Sequence, residues 1–226
     1  MSTRVLSGTQ NGSGTTVTLT AIDVGSGSNR YFAIAINDQG VGASAVTAVT
    51  YAGAAMTRIL GPTQFGPSAG GNNYVSVWGI VNPTSGSNSV VITQSSAVGV
   101  FTNYVAYTGA NQSTPINTSI IAGATSATGT QTQTVTTTVN GCGLVHFVFN
   151  QTDSNVYTVG TRTIDNGGGA QAVSDPEPQA TAGAYTFTWT ITGANSGTRL
   201  AMAIIAIAPV GGGPAPRTQL TMMGVG

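Results

Sequence analysis

Apolar and polar residues alternate with a period of two along most of the chain. In Thr15–Ile22, for example, Val17, Leu19 and Ala21 alternate with threonine. This period places successive side chains on opposite faces of a strand, so it predicts β-strands with one buried face. It predicts about a dozen strands, which are separated by Gly, Asn, Pro or Ser: Thr15–Ile22, Arg30–Asn37, Ala45–Tyr51, Ala54–Leu60, Tyr74–Val81, Ser89–Gln94, Val98–Tyr107, Gln131–Val139, Leu144–Asn150, Tyr157–Ile164, Ala184–Thr192 and Thr198–Ala208.

These strands predict an all-β fold, an antiparallel jelly-roll-like β-sandwich with a C-terminal extended arm. β-Branched residues dominate, and no segment predicts a helix of more than about two turns. We assign residues 1–208 to the sandwich domain. A Ser/Thr/Gly/Ala stretch at Ala110–Thr130 is either a long loop or a linker between two smaller sandwiches, which would divide the domain near 110–130.

The C-terminal end of the sequence has a different composition. Residues 209–217 form a Gly/Pro linker, which cannot join a sheet. Residues 218–226 form an apolar segment that carries Leu220, Met222, Met223 and Val225. One interpretation is a solvated tail, because chain ends are often disordered. The other is an interaction arm whose four apolar side chains dock on a neighbouring subunit.

Charge is scarce and balanced in this sequence. Charged residues make up 5% of the chain, there are six Arg and no Lys, and the formal net charge is zero. Nucleic acids and anionic membranes are bound by clustered Lys and Arg, so we expect neither as a partner. General acid–base chemistry also depends on ionisable groups, so we expect no enzymatic activity.

Cys142 and His146 are the only cysteine and the only histidine of the chain. A structural zinc site needs about four such ligands, so this pair does not predict one. We expect His146 to be a hydrogen-bonded core or interface residue, because it alternates with apolar residues in Leu144–Asn150. Cys142 lies between two glycines, and we interpret it as a small buried thiol.

Four carboxylates fall close together in the sequence, at Asp153, Asp165, Asp175 and Glu177. Loop carboxylates can bind Ca²⁺, but their spacing does not match an EF-hand loop. Asp165 and Glu177 could also serve as a glycosidase pair, although no aromatic cluster surrounds them. The sequence therefore predicts no metal site and no cofactor.

Six aromatic residues are candidates for stacking on sugars. Most of them alternate with Thr or Val inside predicted strands, which favours packing in a core or an interface. They are Tyr31, Tyr74, Tyr104, Tyr157, Tyr185 and Trp189.

Three motifs carry a resemblance to known sequences. The first is Tyr51–Thr57, a Y-x-G-x-x-M-T hairpin, and the second is Trp78–Gly86, a W-x-x-V-N-P-x-x-G strand and turn. The third is Tyr107–Pro115. In this order they resemble a β-sandwich family of bacteriophage and bacterial reading frames, some of whose members are similar to virion proteins. The motif residues are of the kinds that build turns and cores, so the resemblance implies a fold and no catalytic residue.

The resemblance and the composition lead to one functional hypothesis and one alternative. The hypothesis is a non-enzymatic bacteriophage virion structural protein, a capsid decoration or tail-associated subunit that acts through self-association and contacts with other virion proteins. We expect such a protein to be made in the host cytoplasm and to function in the virion. The alternative is a carbohydrate-binding module for host attachment, whose partners would be surface glycans.

Overall fold

A computed structural model describes residues 2–40, 42–68, 71–124, 130–150, 156–158, 164–166, 171–174, 181–192 and 200–211. Within these residues the regular structure consists of strands, and every strand pair is antiparallel. The strands are β1 Thr3–Asp23, β2 Tyr31–Asp38, β3 Val46–Tyr51, β4 Ala54–Ala55, β5 Thr57–Ser68, β6 Gly71–Val81, β7 Ser87–Thr108, β8 Ile116–Ala124, β9 Thr130–Thr136, β10 Gly143–Asn150, β11 Val156–Thr158, β12 Ile164–Asn166, β13 Gln171–Ser174, β14 Ala184–Thr192 and β15 Leu200–Ile207. No helix long and apolar enough to cross a membrane occurs in these ranges.

The largest sheet is built on a long ribbon of β1 and β7. The two strands pair from Thr3 opposite Thr108 to Asp23 opposite Ser87. The other edge of β7 pairs with β2 in its second half and with β3 in its first half. The register shifts between Gly14 and Thr16, which is the point where the two halves of the ribbon meet. An irregularity of this kind bends a strand pair, so the sheet folds over into two layers.

The first core fills the space between these two layers. It is formed by buried side chains from both halves of the ribbon and from β2, β3 and β6, among them Leu19, Ile22, Phe32, Ile34, Ile36, Val49, Tyr51, Trp78, Ile92 and Tyr104. We call the layer that contains β2, β5, β6 and the second half of β7 the second layer. Its other face is also covered. Every residue of β2 is buried, with Phe32 and Ile34 in the first core and Tyr31 and Ala33 in another.

The second core joins the second layer to a sheet of five strands. That sheet has the order β12-β13-β10-β15-β8. Val105 and Val77 of the second layer meet Phe147 of β10 and Ile205 of β15 in this core. The Asn103 amide also bridges the two layers, because its Nδ2 donates to the Val148 carbonyl at 3.1 Å. The two sheets are therefore held by apolar packing and by a buried hydrogen bond.

A third core covers the far face of the five-stranded sheet. The sheet β11-β14-β9 packs there, with Val135 and Phe187 against Leu144 and Ile204. Both β10 and β15 are thus buried on both faces, as β2 is. The described chain consists of four β-layers separated by three cores, which confirms the predicted all-β antiparallel sandwich architecture.

The motif residues occupy turns and core positions. The hairpin between β3 and β4 turns at Ala52 and Gly53, which both have positive φ, as a tight type I′ hairpin requires. The Tyr51 hydroxyl lies 3.1 Å from the Gly86 carbonyl and 3.0 Å from the Ile22 carbonyl. The first two motifs therefore contact each other through one buried hydroxyl.

Several predicted strand limits were wrong. Ser89–Gln94 and Val98–Tyr107 are parts of the single strand β7, and β1 begins at Thr3 instead of Thr15. The predicted strand Ala54–Leu60 is interrupted at Met56, because this side chain turns into the first core while its N–H bonds to the Val49 carbonyl.

The structure also describes the residues near the predicted domain limits. The Ala110–Thr130 stretch contains the nine-residue strand β8, so it is more than a loop. Pro209 pairs with Ala110, and the Val210 N–H donates to the Gly109 carbonyl, so the folded part continues to this point. Residues 212–226, which include most of the predicted linker and the whole predicted arm, lie outside the described residues.

The Trp78→Ala variant tests whether the Trp78 side chain contributes to stability as a residue of the first core. The side chain is 5% exposed, and its Nε1 donates to Ser76 Oγ at 2.9 Å. We expect Trp78→Ala to lower the free energy of unfolding by about 3–5 kcal/mol, as large aromatic truncations in cores do. Urea unfolding monitored by circular dichroism would measure this. Val81→Ala, at a side chain that is 40% exposed, is the matched control and should change stability by about 0.5 kcal/mol or less. Equal stabilities of the two variants would contradict this description of the core.

Candidate interaction surfaces

The outer face of the β11-β14-β9 sheet is a surface of threonines. Thr132, Thr134 and Thr136 of β9 and Thr186 and Thr188 of β14 are all exposed. The intervening residues point inward, so Val135, Phe187 and Trp189 are buried. This division follows from the strict alternation of threonine with other residues in both strands. We call these five side chains the threonine face.

The threonines of the face hydrogen-bond across the strand pair. Thr132 Oγ1 lies 3.0 Å from Thr188 Oγ1, and Thr134 Oγ1 lies 2.8 Å from Thr186 Oγ1. Cross-strand pairs of this kind stabilise a sheet by a few tenths of a kcal/mol to about 1 kcal/mol. A hydroxyl can donate one hydrogen bond and accept others, so each threonine retains capacity for a partner. The face is therefore neutral, ordered and able to hydrogen-bond.

A groove of about 420 Å³ lies between β5 and the start of β8. Its walls are mostly apolar, with Ile59 from β5, Ile80 and Val81 from β6, and Ile116 from β8. Among the described residues that line it, the charged one is Arg58, whose guanidinium carbon lies 4.8 Å from the centroid of the Trp78 ring. This distance is within the range of a cation–π contact, so Trp78 helps to hold Arg58 in place.

Tyr31 forms part of the groove and depends on a nearby glycine. A Cβ at Gly79 would overlap the Tyr31 hydroxyl, so a residue without a side chain is required at position 79. Burial raises the pKa of the Tyr31 hydroxyl well above its ordinary value. Tyr31 is therefore a neutral, tightly packed side chain at physiological pH.

Most of the candidate sugar-stacking aromatics are buried. Tyr31, Tyr74, Tyr104 and Trp189 are at most 8% exposed, and Tyr185 is half-buried. The side chain of Tyr157 lies outside the described residues. Stacking on a sugar needs an accessible ring face, so the four buried rings do not form the platform that the carbohydrate-binding alternative requires.

His146 and Cys142 both belong to the interior of the fold. The His146 ring packs against Phe187 in an edge-on arrangement, with a distance of 3.9 Å between the ring centroids. The Cys142 thiol points to the Val139 carbonyl at 3.4 Å, and burial raises its pKa to about 11. The predicted core position of His146 and the predicted buried thiol are confirmed. Neither group is placed to act on a substrate from solvent.

The predicted carboxylate cluster and the predicted arm cannot be located in the described part of the chain. Asp153, Asp175 and Glu177 lie outside it, and for Asp165 it gives only a backbone position in β12. The arm residues Leu220, Met222, Met223 and Val225 also lie outside it. Among the described residues, no group of three or more His, Cys, Asp or Glu could hold a metal ion.

Asp38 has a structural role that the sequence analysis did not identify. Its Oδ1 accepts hydrogen bonds from the N–H groups of Gly40 and Ala45, at 3.2 and 2.8 Å, and its Oδ2 accepts one from Ser44 Oγ at 2.7 Å. Burial raises the pKa of this carboxyl, and the three hydrogen bonds and the charge of Arg58 oppose the rise. The order Asp-x-Gly at this point is the turn signal that could have revealed it.

Comparison with known proteins gives little information. No protein-family model matches the chain, and no curated protein matches it. One solved structure, the atomic structure of Sulfolobus Turreted Icosahedral Virus, is 11% identical with a TM-score of 0.29, and the match covers 92% of this chain and 90% of that chain. Another, the crystal structure of PBCV-1 VP54 fitted into a reconstruction of the virophage Sputnik, is 9% identical with a TM-score of 0.21 and covers 96% of each chain. Both TM-scores are too low to support an argument about fold or function.

The burial of Cys142 predicts an unreactive thiol. With a pKa of about 11, only about one thiol in a thousand is ionised at pH 8, and the thiolate is the reactive form. We expect iodoacetamide to leave Cys142 unmodified in the native protein and to label it fully in urea, with intact mass as the measurement. Rapid labelling of the native protein would show that this thiol is accessible.

The raised pKa of Asp38 predicts how stability depends on pH. The folded carboxyl keeps its proton to a higher pH than the unfolded one, so its contribution to stability is complete below the ordinary pKa of 3.8 and is lost as the pH rises through the folded pKa. Asp38→Asn has no such ionisation. We therefore expect wild-type stability to fall relative to Asp38→Asn as the pH rises above 3.8, in urea unfolding at a series of pH values. A relative rise would contradict the direction of the shift.

Proposed function

We propose that this chain is a non-enzymatic virion structural protein of a bacteriophage, a capsid decoration or tail-associated subunit that acts through self-association. The observation that carries the proposal is the threonine face. A neutral, ordered sheet face on the outside of a four-layered β-fold is suited to contact between subunits. Its partners would be other copies of the chain and other virion proteins.

The threonine face is compatible with a copy of itself. It carries no charge, so two identical faces do not repel each other when they are brought together. Each hydroxyl both donates and accepts hydrogen bonds, so a two-fold contact between identical faces can satisfy both sides. The β-branched methyl groups add apolar area with little side-chain entropy to lose.

Two further observations support the proposal. The three sequence motifs resemble a β-sandwich family of phage and bacterial reading frames, and the motif residues Tyr51, Trp78 and Gly86 have the turn and core roles expected from that resemblance. The chain also has a formal net charge of zero and 5% charged residues, and near-zero net charge promotes association between copies.

A head or a tail location would be distinguished by testing whether the purified protein binds isolated capsids or isolated tails.

Charges placed on the threonine face should prevent self-association. In a two-fold contact, Thr134→Lys with Thr188→Lys would bring like charges together, which costs several kcal/mol, so we expect the association constant to fall by about 100-fold or more. Light scattering coupled to size exclusion, over a range of protein concentrations, would measure this. The melting temperature should stay close to that of the wild type, because both side chains are exposed.

The matched control places the same charges on another layer. Thr18 and Thr20 are exposed threonines of β1, which belongs to the large sheet and not to the β11-β14-β9 sheet. Thr18→Lys with Thr20→Lys should associate as the wild type does. Association of the Thr134/Thr188 variant at wild-type strength would reject the threonine face as the contact. A wild-type protein that stays monomeric and binds glycans on an array would favour the carbohydrate-binding alternative.

A further inference from the structure

The groove between β5 and β8 presents apolar surface to solvent. Val81 at its edge is 40% exposed, and Ile59, Ile80 and Ile116 in its walls are partly buried. Its volume of about 420 Å³ falls within the usual range for ligand sites, about 300–1,000 Å³. The groove is therefore large enough to receive several apolar side chains.

The described chain passes this groove shortly before its end. Pro115, which lines the groove, accepts a hydrogen bond from the Ala208 N–H at 2.8 Å. Shortly afterwards Val210 is fixed by its bond to the Gly109 carbonyl, and the described residues end at Gly211. The described chain thus contacts a groove wall at Ala208, three residues before it ends.

The length of the following segment is sufficient to reach the groove. An extended chain covers about 3.3–3.6 Å per residue, so residues 212–219 can span about 25 Å. Their sequence contains two glycines and two prolines, a composition that is typical of a spacer. A segment that starts at residue 220 is therefore within reach of a groove wall that the chain contacts at Ala208.

We propose that the groove binds residues 218–226 of this chain. This segment contains Leu220, Met222, Met223 and Val225 and no charged side chain, which matches the mostly apolar walls of the groove. Methionine side chains adapt to irregular apolar grooves. A tether of this length gives the segment an effective concentration on the order of millimolar at its own groove, so an affinity tighter than millimolar is sufficient for high occupancy.

The inference does not depend on the proposed virion role. Segment and groove belong to the same chain, so the contact forms in a single copy. In an assembly the same groove can receive the segment of a neighbouring copy, which would connect subunits without a new binding site. Loss of self-association through the threonine face would leave the contact between segment and groove unchanged.

Disulfide trapping in the full-length chain tests the proposal. Thr114 is exposed and lines the groove, so Met222→Cys with Thr114→Cys should form a disulfide in a glutathione redox buffer. The control pair, Met222→Cys with Thr18→Cys, places the second cysteine at an exposed position of β1 that lies neither in the groove nor on the threonine face. We expect trapping at Thr114→Cys to be faster by about tenfold or more, measured by intact mass and peptide mapping. Cys142 is buried and does not compete.

A second pair of variants tests whether the groove itself is recognised. Val81→Asp places a carboxylate at the groove edge, which opposes apolar binding and should lower the trapping rate by about tenfold. Ile120→Asp is the matched control, because Ile120 is also an exposed strand residue, at 36%, but does not line the groove. Trapping within one chain or between two copies supports the proposal, and the product mass separates the two forms. Equal trapping of the two cysteine pairs, or no effect of Val81→Asp, would overturn it.

Discussion

The structure depends on strands that are apolar on both faces. β2, β10 and β15 are nearly continuous apolar runs, and their side chains enter two different cores. A strand of this kind is stable only if a layer covers each of its faces. The second layer and the five-stranded sheet must therefore lie inside the stack, and the folded-over half of the large sheet and the β11-β14-β9 sheet must lie outside. The four-layer order follows from this requirement.

The outer layers show which parts of the fold the sequence could predict. In β9 and β14 threonine alternates with Val135, Phe187 or Trp189, and the structure places the threonines outside and the larger residues inside. The period of two carries this information directly. β2 and β10 are short apolar runs rich in β-branched and aromatic residues, which indicates strands, but the pattern does not say which face meets which core, because both faces are apolar.

Other parts of the fold carried no local signal. The first half of β1 is rich in Gly, Ser and Thr, so its apolar pattern is weak. Backbone pairing to β7 holds this half in place. Ser89–Gln94 and Val98–Tyr107 form one bent strand because both segments pair with β1, which lies far away in sequence. The groove combines residues from β2, β5, β6 and β8, so no single stretch of sequence could reveal it. Asp38 is a different case, because its hydrogen bonds form within a single turn. The Asp-x-Gly order at this turn is a local signal, so its role could have been predicted from the sequence.

The position of Ser2 has a consequence for how the chain acquires its structure. Ser2 Oγ donates to the Ile207 carbonyl at 3.3 Å and accepts a hydrogen bond from the Gly143 N–H at 3.0 Å, while the adjacent Thr3 pairs with Thr108. On a ribosome, β1 is synthesised long before β7, β10 and β15 emerge, and its edges stay unpaired during that time. Contacts between residues this distant in sequence form slowly, because a long loop must close before they contribute. The time between synthesis of the first strand and emergence of the last one is the interval in which the chain is most exposed to aggregation.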